Sequence, residues 1–531
     1  MRELKNNQKA RLLQRAVDNR WFPICNYIIA KHKIMSRAYI TTSIAYTNAK
    51  PHIGYCLELL QADVIARYNR QQGREVWFLT GTDEHGSKIA NKAKEQGKTP
   101  QDFCDEIVTG FKMLKPLLGL SNDDFIRTTD QKRHWPTVWA IWQKLKEQGD
   151  IYKKKYKGLY CVGCEAFVTE KDLEEGQCPL HQKAPEIIEE ENYFFKLSKY
   201  QKQLKEILEK NEIKITPESR KSEMLNFIKE GLQDVSCSRE RNKLSWGVPV
   251  PEDEEQTIYV WFEALINYLS SLGYLTNQDE KFKAFWSPSA QFIGKDIVRF
   301  HSLLWPAMLL GLGLKLPENI VIHGYLTVGG EKMSKSLGNV IDPFELIGKY
   351  TEKIGNKEAA TDALRYFLLR EISSTEDGDF TYERFEERYN SDLANGIGNL
   401  VARVITLATK IFNFQSCLSA DRFPISNQFS NSNFQIETAK TKKKCQRFLE
   451  SFKFNEALGA VWELIGFCDK TINETKPWEG KENAPQVISD LLFVIDSISE
   501  MLLPFLPQTS EKIKGQLKTG KSQALFPRLN V

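Results

Sequence analysis

The stretch AYITTSIAYTNAKPHIGYCLELLQADVIARYNRQ, residues 38–71, decides the fold. Residues 38–45 form a strand-like run of β-branched and aromatic side chains, and residues 57–71 carry a helical period. Between them stand Pro51, His52, Ile53 and Gly54. A strand that delivers a glycine and a histidine to a helix start builds a phosphate site. The first helical turn has unpaired N–H groups and the positive end of the dipole. The grammar then repeats. The apolar run 76–79 ends in Gly81-Thr82-Asp83-Glu84-His85-Gly86, and a polar helix follows to Gly97. Such alternation predicts a parallel sheet with its ligand site at the strands' C-terminal ends.

Working outward, the pattern breaks at 151–245 and resumes with strands at 257–262, 290–293 and 319–323. Strand signals vanish after residue 386, and helical periods at 392–412, 440–468 and 486–503 predict an antiparallel bundle with a polar loop at 426–432. The longest apolar run, 302–314, contains Pro306 and is too short to cross a bilayer, so it reads as a buried helix.

Bulk composition narrows the class. A chain of 531 residues holds about three domains. Its 41% hydrophobic and 27% charged content is ordinary for a soluble protein. A net charge of +4 requires any nucleic-acid contact to use local basic patches. Ten cysteines are too sparse for a disulfide scaffold and imply a reducing compartment, here the cytoplasm. Residues 1–34 are basic, with only Glu3 and Asp18 as acids. They read as a mitochondrial-type presequence or as an extension upstream of a start at Met35; the absence of serine favours the second.

Four residues group tightly. Cys161 and Cys164 form one pair, Cys178 and His181 another, each with two residues between ligands. Two such knuckles complete a closed tetrahedral Cys₃His zinc site, structural because no position is left for an activated water. A second motif, Lys332-Met333-Ser334-Lys335-Ser336, follows the Gly329-Gly330 hinge and carries two lysines toward negative charge.

With these strings in this order, the chain resembles the class I aminoacyl-tRNA synthetases. From Ser36 onward it is similar to the methionyl-tRNA synthetases of the bacterial type with one zinc knuckle. The further matching strings are Ser43-Ile44-Ala45-Tyr46, Val260-Trp261-Phe262-Glu263-Ala264, Phe292-Ile293-Gly294-Lys295-Asp296-Ile297 and the run from His301 to Trp305-Pro306. The resemblance implies a Rossmann-type α/β catalytic domain in two halves, 36–150 and 246–350. It also implies a zinc-binding connective insertion at 151–245, a linking segment at 351–385 and an all-α anticodon-binding bundle at 386–531. Residues 1–35 are left as an N-terminal extension.

The implied activity is ATP-dependent conversion of L-methionine to methionyl-adenylate, then transfer to tRNA(Met), including the initiator. ATP and Mg²⁺ are the implied small partners, one Zn²⁺ the structural metal, and a monomer the implied state. His52 would donate to the α-phosphate, Gly54 would admit the adenine, and Lys335 with Lys332 would neutralise pyrophosphate as the hinge closes. Tyr55 stands where the family has a second histidine; a phenol donates a hydrogen bond but brings no charge. Gly294 and Asp296 resemble the ribose turn, and His323 with Leu326 the adenine-side wall. Asp83 would pair with the substrate ammonium. Tyr46, Trp261, Tyr268 and Trp305 would line the thioether pocket with Ser43, Ile44, Ala264, Leu265, Ile297 and His301, since a polarizable sulfur suits aromatic walls. Asn399 and Arg403, four apart on one helix face, match with Trp478 the residues that read the CAU anticodon. The alternatives are another class I synthetase, a catalytically idle tRNA-binding protein of the same fold, or a small-cofactor nucleotidyltransferase.

Overall fold

The structure is a computed structural model that describes residues 36–163, 166–168, 170–179, 182–333, 338–412 and 433–529. The extension 1–34, the expected zinc ligands Cys164 and His181, Lys335 with its serine neighbours, and the expected loop 426–432 lie outside the described residues.

Seven parallel strands form the central sheet: β1 (Arg37–Thr42), β2 (Ala45–Tyr46), β3 (Glu75–Asp83), β4 (Asp124–Arg127), β5 (Lys214–Thr216), β6 (Ala290–Gly294) and β7 (Asn319–His323). Ile40 of β1 pairs with Phe78 of β3 on one side and Ala290 of β6 on the other. β7 and then β5 extend the sheet beyond β6, and β3 also carries β2 and β4. Strand order therefore reverses at β1, and a cleft opens past the C-terminal ends of β1 and β6, where this architecture places ligands.

The run after Pro51 makes helix α1 (Ile53–Gln71), capped by His52, whose Nδ1 accepts from the Gly54 N–H at 3.1 Å. Its buried face includes Ile53, Leu57, Leu60 and Val64, which pack on β1, β3 and β6. Helix α2 (Pro100–Leu118) lies nearby, capped by Thr99 and closed by Gly119 at φ 63.

Four expectations change in detail. Strand β5 lies inside the 151–245 stretch yet joins the central sheet, because Ile215 is apolar and pairs with Ile320 of β7. The insertion proper is a long antiparallel hairpin, Ile151–Cys161 against Glu186–Phe195. The expected strand at 257–262 is the end of a strand, Asp253–Ile258, in a separate antiparallel sheet, followed by a short helix, Val260–Ala264. The buried helix expected at 302–314 is Trp305–Leu312, entered through a π-helical turn at Phe300–Leu304. The segment around 351–360 is a turn between two helices: Gly355 ends Pro343–Ile354 at φ 71 and Asn356 caps α3 (Lys357–Arg370).

The bundle contains α4 (Asn399–Phe412), α5 (Asn433–Glu450), α6 (Phe454–Thr475), α7 (Ala484–Leu502) and α8 (Pro507–Thr519). The helix expected over 440–468 is broken between α5 and α6, where Phe452 takes φ 57 and buries its ring. One continuous hydrophobic cluster runs from α1 through α3 into the bundle. Arg365 of α3, fully buried, crosses that junction. It donates to Asp63 Oδ2 of α1 at 2.8 Å, to the Leu118 carbonyl of α2 at 3.0 Å and to the Phe505 carbonyl beyond α7 at 2.7 Å. Among the described residues no helix is long and apolar enough to cross a membrane.

Candidate active site

The Pro51–Gly54 turn and the segment that carries Lys332 meet in space. A Cβ added to Gly54 would lie 3.0 Å from the His52 ring and 3.0 Å from Cε of Met333. The lysine-bearing segment therefore rests on the start of α1. Gly329 and Gly330, at φ 63 and 82, make the tight turn of a hairpin that pairs Thr327 with Lys332 and Val328 with Glu331. Lys332 is exposed, its Nζ 4.6 Å from the centre of the Tyr325 ring. Burial holds His52 below the ordinary histidine pKa, so its cap geometry, with Nδ1 accepting, leaves Nε2–H as donor.

His323 ends β7 at the cleft floor. Its Nδ1 lies 2.8 Å from the Gly324 carbonyl and its Nε2 2.9 Å from Glu58 Oε2. Burial opposes protonation of that ring, but Glu58 outweighs it and raises the His323 pKa. The other Glu58 oxygen accepts from the Ser43 hydroxyl at 2.7 Å. Gly294 ends β6 with no room for a side chain, since a Cβ there would lie 2.7 Å from Asp296 Oδ1. Asp296 itself is exposed, and Leu326 is buried beside the cleft.

Tyr55 stands half-buried in the first turn of α1. Its hydroxyl lies 3.2 Å from Thr80 Oγ1, and its ring packs edge-on against Phe111 at 5.3 Å. It lines a cavity of about 220 Å³ with Phe111, Asn122 and Phe125.

On the other flank an aromatic group closes around His301. Tyr268 and Trp305 are buried with ring centres 5.6 Å apart, and the Tyr268 hydroxyl lies 2.8 Å from His301 Nε2. Burial lowers the His301 pKa to about 4. The ring is neutral at working pH: Nδ1–H donates to the Ile297 carbonyl at 3.2 Å and Nε2 accepts from the phenol. Trp261 stacks flat on Phe300 at 4.1 Å. Ala264 and Leu265 are buried, and Ile44 and Ile297 half-buried. Asp83 ends β3 beside Tyr46 of β2, with the Thr47 N–H donating to the Asp83 carbonyl at 3.0 Å.

The remaining predicted residues form two separate groups. Cys161 ends one hairpin strand and Cys178 opens a turn; both thiols are buried, yet neither belongs to either hydrophobic cluster, and residues 174–177 around them are exposed. In the bundle, Asn399 starts α4. Arg403, one turn on, donates to Asn473 Oδ1 at 3.1 Å and faces the Trp478 ring at 5.9 Å, with Trp478 half exposed.

Residue-by-residue reading missed Glu58 and His134. Glu58 had a signal: a carboxylate inside the apolar run Cys56-Leu57-Glu58-Leu59-Leu60 is out of place unless it is paired. His134 had none, since its partner Glu263 is 129 residues away.

This fold, with paired signature segments over a reversed-order sheet and a helical bundle behind it, defines a class I aminoacyl-tRNA synthetase. Residues 38–184 and 168–405 match the family model for tRNA synthetases class I (M), and 432–528 that for the anticodon-binding domain of tRNA ligase. The chain is 44% identical to the methionine–tRNA ligase of Thermotoga maritima, across 90% of this chain and 74% of that one. It is 45% identical to that of Clostridium perfringens, across 93% and 78%. Among solved structures, methionyl-tRNA synthetase of Mycobacterium tuberculosis in complex with methionyl-adenylate superposes with a TM-score of 0.82 at 32% identity, covering 93% of this chain and all of that one. The chain belongs to the methionine–tRNA ligase family. It activates methionine with ATP and charges tRNA.

Proposed function

We propose that the two flanks of the cleft divide the work of adenylate formation. A methionine carboxylate oxygen attacks the α-phosphorus of ATP. The new P–O bond forms as the bond to the bridging oxygen breaks, and pyrophosphate leaves. Charge grows on the phosphoryl oxygens, so catalysis is positioning plus electrostatic stabilisation. His52 donates to the α-phosphate at the positive end of α1. Lys332 and Lys335 neutralise the leaving pyrophosphate when the Gly329–Gly330 hairpin closes. Gly294, Asp296, His323 and Leu326 hold the nucleoside. Asp83 takes the methionine ammonium, while Trp261, Tyr268, Trp305 and the neutral His301 surround the thioether. Tyr55 contributes to the frame rather than to phosphate binding. Magnesium accompanies the ATP phosphates, as their charge requires.

The contact of Met333 with the Gly54 turn carries this reading, because it brings the second motif within reach of the first. The test is amino-acid-dependent exchange of labelled pyrophosphate into ATP, run across all twenty amino acids. Exchange is expected with methionine alone and is lost in His52→Ala; exchange driven by leucine, or an undiminished His52→Ala enzyme, would overturn it.

Cys161, Cys164, Cys178 and His181 would hold one structural zinc. The support is two buried thiols that, among the described residues, belong to neither hydrophobic cluster. Asn399, Arg403 and Trp478 would read anticodon bases by edge hydrogen bonds and stacking. One chain carries every residue invoked, so a monomer would suffice for the reaction. Five further cysteines are buried and unbonded, which suits a cytoplasmic setting.

A further inference from the structure

Glu263 makes no substrate contact in the scheme above, yet three segments converge on it. Its carboxylate is fully buried. Oε1 takes Nδ1 of His85 at 2.7 Å, and Oε2 takes Nε2 of His134 at 2.7 Å. His134 is fully buried as well, and its Nδ1 lies 2.8 Å from Ser270 Oγ. His85 Nε2 is buried without a hydrogen bond, its ring enclosed by Trp246 at 5.5 Å and Trp135 at 6.1 Å.

A carboxylate cut off from water is costly unless its charge is met. Burial works against the charged form here, but the two imidazoles outweigh it and keep the Glu263 carboxyl below the usual range. The result is a taut chain, His85–Glu263–His134–Ser270, inside the core. Three of its four members stand two residues from a pocket residue. His85 follows Asp83, Glu263 follows Trp261 on the same short helix, and Ser270 follows Tyr268. The nucleotide-side pair Glu58 and His323 shares no hydrogen bond with this chain.

We propose that Glu263 is a positioning residue for the amino acid: it sets the distance between the carboxylate that meets the ammonium and the aromatic wall that meets the thioether. It thereby governs methionine affinity and side-chain selection and leaves ATP binding alone. The proposal rests on Asp83, Trp261 and Tyr268 being the methionine pocket. Displacement by about an ångström in such a site costs on the order of a hundredfold.

The experiment is pyrophosphate exchange with methionine and ATP varied in turn, on the wild type, Glu263→Gln and Asp83→Asn. Glutamine keeps the shape but turns one acceptor into a donor, so one imidazole loses its partner. Glu263→Gln is expected to raise the methionine KM by about tenfold or more with the ATP KM within about twofold, and to narrow the preference for methionine over norleucine. Glu263→Asp, which restores the charge, recovers part of that loss. In thermal melts the Gln variant loses the methionine-dependent rise in Tm and keeps the rise given by a nonhydrolysable ATP analogue. A methionine KM that does not move, or a fall in kcat with both KM values shifted alike, would overturn the proposal. If Asp83→Asn also leaves the methionine KM unchanged, the pocket reading has failed; if only Glu263→Gln does, positioning alone has failed. Should Glu263→Gln not fold, His134→Gln breaks the same chain with the same expected split.

Discussion

Glu58 of α1 and His323 at the end of β7 face each other at 2.9 Å across the cleft floor, and the same carboxylate takes Ser43 from the end of β1. One buried carboxylate thus joins the helix that starts at His52, the strand before it and the wall assigned to adenine. Glu58→Ala leaves His323 Nε2 buried without its partner while Nδ1 keeps the Gly324 carbonyl, a loss of about 3–5 kcal/mol in unfolding free energy for a buried pair broken on one side. Denaturant titration measures it, and in exchange assays the ATP KM is expected to rise more than the methionine KM.

The same pair sets a pH dependence. Glu58 raises the His323 pKa above its unfolded value against the opposing effect of burial. Its contribution is therefore fully present below the unfolded value of about 6.5 and is lost as pH rises through the folded one. Unfolding free energy measured upward from pH 6 should contain this decline, and Glu58→Gln should remove it.

His301 has the opposite sign. Burial brings its pKa down to about 4, so the unfolded chain binds a proton that the folded chain refuses. Stability from this site is present above about pH 6.5 and falls as pH drops toward 4, by roughly 3 kcal/mol in all. Comparing wild type with His301→Gln at pH 7 and pH 5 isolates it: the acid-side loss should be smaller in the variant.

Tyr55 is the motif residue whose partners in the fold are protein groups. From the chain alone it stands in the phosphate motif; in the fold its hydroxyl serves Thr80 and its ring serves Phe111. Tyr55→Phe is expected to cost about 1 kcal/mol for the lost hydrogen bond and to leave the ATP KM within about twofold. A tenfold rise in that KM would place the phenol on the nucleotide after all.

What the sequence made legible follows from locality. The strand signal at 38–45, which in the fold is β1 up to Thr42 and then β2, the cap at His52, the Gly329–Gly330 turn and the helical periods after residue 386 are each written locally, where propensity and turn chemistry act. The break at Phe452 and the sheet membership of Lys214–Thr216 depend on distant partners and left no local mark. The site divides the same way. His52, Asp83 and Lys332 sit in motifs, while Glu263 and His134 acquire meaning from partners 129 and 178 positions away, and the apolar run that marks Glu58 does not name its partner His323, 265 positions away.

The zinc reading can be tested without catalysis. Cys161 and Cys178 are buried beside the exposed stretch 174–177 and belong to neither hydrophobic cluster of the described residues, and the proposed zinc would take the place of an apolar core there. Purified protein is expected to hold about one zinc per chain, released by a thiol-blocking reagent, with Cys161→Ser holding little. Full zinc content in that variant would remove Cys161 from the ligand set.

Arg365 joins the catalytic part of the molecule to the bundle. Buried without exposure, it meets Asp63 on the helix that begins at His52, the Leu118 carbonyl, and the Pro504 and Phe505 carbonyls at the start of the last bundle turn. Asp63 keeps Arg67 at 2.8 Å and Ser121 if Arg365 is lost, but the three carbonyls lose their donor. Arg365→Met should therefore cost about 3–5 kcal/mol of stability. Methionine activation needs only the cleft, whereas charging needs cleft and bundle held at one distance along the tRNA. Pyrophosphate exchange is expected to fall by less than about threefold while tRNA charging falls by about tenfold or more. Equal losses in the two assays would mean that Arg365 supports the fold as a whole and not the register between its halves.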